Sequence, residues 1–251
     1  MIVGIVLAAG KGTRMKSAVA NKVTVPFLQK PMIVYGVELM ASVATRTIVV
    51  VGAFADSVKA VLGSREVIYA YQTKRLGTGH ALRVGLQAMG NADLHPTDVL
   101  VGYGDHTMFY RPRTVKKLLA CHRRVRGAVS MITTTHEDPD RLRWGRIIRG
   151  SHGEVIDCRE QGDLTTVGEH EIREINAGFY CFSPAFLRRY ARSIPKSSVT
   201  GEYYITSLVR MAVAKGKRVT ALCVPFTHVG LGVNGESELA ESEKLYLKAG
   251  L

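Results

Sequence analysis

The stretch Leu7-Ala8-Ala9-Gly10-Lys11-Gly12-Thr13-Arg14-Met15 combines small residues with fixed positive charge, the make-up of a loop that holds a phosphate. Small side chains let backbone N–H groups close on phosphate oxygens, and Lys11 and Arg14 add cationic partners. Spacing excludes two common alternatives. A Walker A loop requires G-x-x-x-x-G-K-[ST], yet Lys11 is followed by Gly12; a dinucleotide fingerprint requires G-x-G-x-x-G, yet Met15 stands at the last position. Further along, Gln72 precedes Leu76-Gly77-Thr78-Gly79-His80-Ala81, and Tyr103-Gly104-Asp105 closes an apolar run. A glutamine presents both a donor and an acceptor to a pyrimidine edge. An aspartate at a strand end suits Mg²⁺, which takes a few hard protein oxygens and the rest from phosphate and water. Each has a plainer reading: a tight strand-end turn for residues 10–14, a helix or turn cap for Asp105, and turn or cap residues for Glu160, Asn176 and Thr206.

Such groups need elements to carry them. Strand-like and helix-like stretches alternate, which argues for an α/β fold with a mostly parallel sheet and helices on both faces. Ile2 to Val6 reads as the first buried strand, followed by strands Arg46 to Val51, Glu66 to Tyr71, Asp98 to Val101 and Ala128 to Thr134. Helices are expected from Pro31, as the N1 residue, to about Ala44, from Ala55 to Leu62, from the 76–81 segment to Met89-Gly90, and from Pro112 to Arg126. The last should bury Val115, Leu118, Leu119 and His122 and leave its basic residues in water. From about Asp138 the pattern changes to short hairpin strands, Gly145 to Arg149, Val155 to Cys158 and Ile175 to Phe182, which could form a smaller sheet beside the main one. Gly201 to Lys215 reads as a helix, Arg218 to Val224 as a strand and Glu236 to Leu247 as a last helix. In open α/β sheets ligands gather beyond the carboxyl ends of the strands, where the loop at 8–14, the stretch from Gln72 to His80, and Tyr103 to Asp105 all fall.

The chain of 251 residues, 46% hydrophobic, suits one large domain with a β-rich region at about 140–183 and a terminal helix at about 236–248. No apolar run reaches the ~20 residues that span a bilayer, and no basic segment precedes the first strand as in a signal peptide. Cys121, Cys158, Cys181 and Cys223 lie far apart without a CxxC pair, which reads as free thiols in a reducing cytoplasm. The net charge of +13 fits either nucleic acid or polyanionic small substrates. Its dispersal, without RRM, KH or zinc-finger patterns, argues against nucleic acid. No feature points to a particular oligomeric state.

L-A-A-G-K-G-T-R-M resembles the nucleotide-binding loop of the sugar-1-phosphate nucleotidylyltransferases. The ordered set Q-x-x-x-L-G-T-G-H-A, Y-G-D, G-R-I, E-I-N-x-G, G-E-Y-Y-I-T and G-V-N resembles, more narrowly, the bifunctional N-acetylglucosamine-1-phosphate uridylyltransferases, from residue 2 to about 247. The resemblance implies a Rossmann-like sheet with a small accessory β-sheet region. It implies transfer of a uridylyl group from UTP to a sugar 1-phosphate, N-acetylglucosamine 1-phosphate in that branch, with release of pyrophosphate. Leu7, Ala8, Ala9, Gly10, Gly12, Tyr103 and Gly104 would surround the nucleotide; Gln72, Gly77 and Thr78 would meet the uracil. Lys11, Arg14 and Lys22 would carry catalysis, and Asp105 and Asn234 would bind Mg²⁺. Gly145, Glu160, Asn176, Tyr204 and Thr206 would line the sugar pocket.

The sequence departs from that pattern at Asn21-Lys22-Val23-Thr24, where the family reads P-K-V-L one residue nearer the arginine. It departs again at His106-Thr107, in place of apolar residues and proline, and at Ser207, in place of aspartate. A thymidylyl- or glucose-type transferase and a non-catalytic basic binding protein are the alternatives; Gln72 with L-G-T-G-H-A opposes the first, and Asp105, Asn234 and Arg14 oppose the second. The chain contains no hexapeptide repeats, so the acetyltransferase half of the bifunctional enzymes is not expected here.

Overall fold

The computed structural model describes residues 1–10 and 20–250. Its apolar runs become parallel strands buried on both faces. β1 (Ile2–Ala8) is followed by the short strands β2 (Pro26–Phe27) and β3 (Lys30–Pro31), α1 (Met32–Val43), β4 (Arg46–Val51), α2 (Ala55–Leu62), β5 (Ile68–Tyr71), α3 (Thr78–Asn91) and β6 (Asp98–Tyr103). Then come α4 (Pro112–Val125), β7 (Val129–Thr135), α5 (Pro139–Leu142), β8 (Arg146–Arg149), β9 (Val155–Arg159), α6 (Val167–His170) and β10 (Glu174–Phe182). The chain continues through α7 (Pro184–Tyr190), α8 (Ser207–Ala214), β11 (Val219–Cys223) and α9 (Glu236–Lys248).

The main sheet runs β11-β7-β10-β6-β1-β4-β5. β1 pairs in parallel with β4 and β6, β4 with β5, and β7 with β11, whereas β10 lies antiparallel between β6 and β7. Alternate residues of the strands serve two cores. Val3, Ile5 and Leu7 pack with Leu82 and Met89 of α3 and Leu208 of α8. Val6 and Ala8 pack with Ile33, Val37 and Met40 of α1, Val58 of α2 and Leu118 of α4. At ~25 cal/mol per Å² of apolar surface, this two-sided burial is the main force that orders the strand ends. β1 lies where the chain's direction of winding reverses, between β4 and β6, so a crevice opens beyond their carboxyl ends.

Several expectations change in position or pairing. Pro31 caps α1 rather than opening it, and also pairs with Pro26 in a separate two-stranded sheet. Of the hairpin strands, Ile175 to Phe182 falls within β10 and enters the main sheet itself. β8 and β9 form the lateral β-rich region and join that sheet through the Arg146–Ile175 pair. The expected helix from Gly201 is shorter, because the backbone of residues 203–205 is engaged sideways. Tyr203 N donates to Leu76 O at 2.8 Å, Gly79 N donates to Tyr203 O at 2.7 Å, and Ile205 N donates to Thr78 Oγ1 at 3.1 Å. α4 buries Val115, Leu118, Leu119 and His122 and keeps Lys116, Lys117, Arg123 and Arg124 exposed, as its pattern predicts. α9 closes the far side by setting Tyr246 against Phe27 and Phe109, with ring centroids 5.3 and 5.2 Å apart.

Candidate active site

The crevice is a cavity of about 720 Å³. Of the residues singled out from sequence, Leu7, Ala9, Gly10, Lys22, Gln72, Gly77, Thr78, Tyr103, Asp105, Gly145, Glu160, Asn176, Tyr204 and Asn234 line it. Three others stand behind its wall. Ala8 is buried with its carbonyl bonded to Asn21; Gly104 packs on Ile33 and donates its N–H to Leu7 O at 2.9 Å; Thr206 holds Glu160. Lys11, Gly12 and Arg14 lie outside the described residues.

At one end stands a cation between two oxygens. Lys22 opens a short 3-10 turn and is mostly buried; its Nζ pairs with Asp105 Oδ2 and donates to Asn234 Oδ1 at 3.2 Å. Asp105 comes from the end of β6 and Asn234 from the loop before α9. Val233 N donates to Asp105 O at 3.1 Å, and Asn234 N donates to Glu238 Oε2 at 2.5 Å, so the main chain of both residues is tied in place. Two hard oxygens that already converge on one positive centre fit a small divalent ion.

Across the cavity, Gln72 is 5% exposed at the end of β5. Its Nε2 donates to Gly77 O at 3.2 Å and meets His80 Nδ1 at 2.9 Å. Burial lowers the pKa of His80 and favours the neutral ring, whose Nδ1 can then accept. With the His80 proton on Nε2, both amide hydrogens are engaged and Oε1 is the group left for a ligand. In that tautomer Gln72 would meet a pyrimidine edge as an acceptor, through Oε1. Gly77 has φ 93°, and a Cβ there would sit 2.6 Å from Tyr203 O, so only glycine lets segment 203–205 dock so closely.

The third wall is the β8–β10 region. Asn176 N donates to Gly145 O at 2.8 Å, and Asn176 Nδ2 donates to Tyr180 Oη at 2.6 Å. A register shift between Asn176 and Tyr180 places Gly178, φ 73°, against the Tyr103 ring. Thr206 Oγ1 donates to Glu160 Oε1 at 2.7 Å. Burial raises the Glu160 pKa, and this hydroxyl partly opposes the shift. Tyr204 Oη lies 2.7 Å from Thr200 Oγ1.

Further lining residues did not stand out in the sequence as site residues: Arg75, His106, Arg143, Trp144 and Glu202. His106 and Trp144 pack with centroids 4.4 Å apart, and burial lowers the His106 pKa to about 4, which keeps it neutral at pH 7. Buried Arg146 fastens this corner by donating to Trp144 O and Asp140 Oδ1, each at 2.5 Å. The signals were present, since Trp144 is the single tryptophan and stands beside Gly145, and His106 follows Asp105 directly. Away from the cavity, ligand atoms of Asp98, His122 and Cys181 lie within 4.8 Å of one another, with Arg123 supplying the Asp98 counter-charge.

The chain is similar to known proteins over almost its full extent. It is 39% identical over 243 residues to the bifunctional protein GlmU of Geobacter metallireducens, covering 96% of this chain and 49% of that protein. It is 37% identical over 240 residues to the bifunctional protein GlmU of Exiguobacterium sibiricum, covering 95% and 51%. The chain thus spans about half the length of the curated relatives it matches. Its fold superposes on a UDP-glucose pyrophosphorylase complexed with UDP-glucose, with a TM-score of 0.78 at 19% identity, over 99% of both chains. The family model described as nucleotidyl transferase matches residues 3–227, and the chain belongs to that family.

Proposed function

We propose that this chain is an enzyme that transfers the uridylyl group of UTP to N-acetylglucosamine 1-phosphate and releases pyrophosphate. The observation that carries the reading is the division of one cavity. A Lys22–Asp105–Asn234 cluster stands at the phosphate end, a Gln72 acceptor at the base end, and Glu160, Asn176 and Tyr204 form a polar third wall. The similarity to GlmU proteins and the branch motifs support the choice of substrates. We read the whole chain as one nucleotidyltransferase domain and, from its free thiols, place it in a reducing cytoplasm.

A sugar phosphate is ionised at neutral pH and needs no general base. The residues therefore act by holding the reactants in line and neutralising charge. Gln72 Oε1 accepts the uracil N3–H, and cytosine has no hydrogen there. Ala9 and Gly10 approach the triphosphate closely because they carry almost no side chain. Asp105 and Asn234 would hold Mg²⁺, which, when bound, draws charge from the reacting phosphates. Lys22, together with Lys11 and Arg14, offsets charge on the attacking phosphate and the leaving pyrophosphate. Glu160 and Asn176 supply an acceptor and a donor to the sugar hydroxyls and amide.

The test is pyrophosphate release over a grid of UTP, dTTP and CTP against N-acetylglucosamine 1-phosphate, glucose 1-phosphate and glucosamine 1-phosphate. The UTP and N-acetylglucosamine 1-phosphate pair should give the highest kcat/KM. A maximum at dTTP with glucose 1-phosphate would replace this substrate assignment, and no release with any pair would overturn the enzymatic reading.

A further inference from the structure

Asn21 is 0% exposed and lies beside the phosphate end of the cavity without lining it. Its Nδ2 is 3.1 Å from Ala8 O, 3.1 Å from Gly10 O and 2.9 Å from Ala53 O. Its Oδ1 accepts from Val23 N at 3.1 Å, and its own N–H donates to Ser57 Oγ at 3.0 Å. Its carbonyl accepts from Thr24 N at 2.9 Å and Thr24 Oγ1 at 2.7 Å. One side chain therefore joins the end of β1, the turn between β4 and α2, and the turn that starts at Lys22. An amide nitrogen has two hydrogens, so three carbonyls share them.

This arrangement has a directional effect. A carbonyl oxygen near the cavity presents its negative end to any bound anion. Bonding Ala8 O and Gly10 O to Asn21 commits both oxygens to the protein, where Ala9 and Gly10 line the cavity. The same residue caps the Lys22 turn and so fixes the stem from which Nζ reaches Asp105 and Asn234. Where the resembling family carries proline, no side chain could make these bonds.

We propose that Asn21 is a positioning residue for polyphosphate binding: it draws strand-end carbonyls away from the anion and sets the origin of Lys22. The proposal rests on the nucleotide reading above.

The experiment measures equilibrium binding of UTP, pyrophosphate and uridine, with a divalent cation present, to the full chain and to Asn21→Ala and Ser57→Ala. Asn21→Ala should weaken UTP and pyrophosphate by ~10-fold or more, because buried carbonyls lose their donor, while uridine affinity stays within about twofold. Ser57→Ala, which leaves the side-chain bonds of Asn21 in place, should show a smaller loss of the same kind. If Asn21→Ala does not melt cooperatively, Ser57→Ala carries the comparison. Unchanged pyrophosphate affinity, or a loss shared equally by uridine, overturns the proposal. Failure of the unsubstituted chain to bind UTP or pyrophosphate overturns instead the reading on which it rests.

Discussion

Replacing Lys22 by methionine should tighten the binding of a divalent cation to the nucleotide-free protein, although it removes a group proposed for catalysis. Nζ of Lys22 lies on Asp105 Oδ2 and Asn234 Oδ1, the two oxygens proposed for the metal, so ammonium and metal compete for the same acceptors. The pair is not a surface ion pair: the side chains are 10% and 27% exposed. A hydrogen bond to a charged group in such a setting contributes ~1.5–3 kcal/mol. A competing cation gains that amount when the ammonium is absent, which is ~10–100-fold in its dissociation constant. Methionine keeps the length of the stem without the charge. The assay is titration with Mn²⁺, reading the free ion by electron paramagnetic resonance. The same variant should lose kcat with UTP and sugar phosphate, because the Lys22 ammonium no longer meets the phosphates. Mn²⁺ affinity that is unchanged or weaker in Lys22→Met would refute competition for a shared seat, and with it the assignment of these two oxygens.

Asp105→Asn should abolish most turnover with little change in melting temperature, since its charge is proposed to hold Mg²⁺; near-normal kcat at saturating Mg²⁺ would contradict this. UTP should exceed CTP by ~10-fold or more in kcat/KM, the cost of leaving Gln72 Oε1 unpaired, and Gln72→Leu should erase the difference. N-acetylglucosamine 1-phosphate should exceed glucose 1-phosphate by ~10–100-fold in the same measure, because the third wall loses partners without the acetamido group. Burial raises the Glu160 pKa, so the folded state holds this proton over a window in which the unfolded chain has released it. Stability therefore falls as pH rises through that window, and above it Glu160→Gln should melt higher than the unsubstituted chain, with the gain disappearing below the ordinary carboxyl range.

The main lines of the fold were legible because burial on both faces demands continuous apolar runs, as in Ile2–Leu7 and Thr47–Val51, and such runs need no partner to be recognised. The same holds for residues in short local motifs: Gly77 and Asp105 follow β5 and β6 closely, and both line the cavity. What depends on distant register was not legible. Nothing within Glu174–Phe182 states that it will lie antiparallel between β6 and β7. The stretch from Gly201 has helical spacing, yet Tyr203 gives its backbone groups to Leu76 and Gly79, more than a hundred residues earlier. The contact of Gln72 with His80 follows from tertiary placement, and the bonds of Asn21 reach three separate segments.

β10 is made after both of the strands that it separates. As the chain emerges during synthesis, β6 and β7 are complete while the strand that must join them, pairing Phe182 with Val99 and with Val129, does not yet exist. Until residues 174–182 appear, each presents an open edge, the kind of surface that invites pairing with another chain. The contacts that close the gap are also far apart in sequence, which slows folding. Because β10 carries Asn176 and Gly178 into the cavity wall, the step that joins the two parts of the sheet also delivers part of the pocket's third side, which Tyr204 completes later in the chain. A nascent chain that has passed this point has covered the facing edges of β6 and β7 and gained part of that wall together, while the outer edge of β7 still waits for β11.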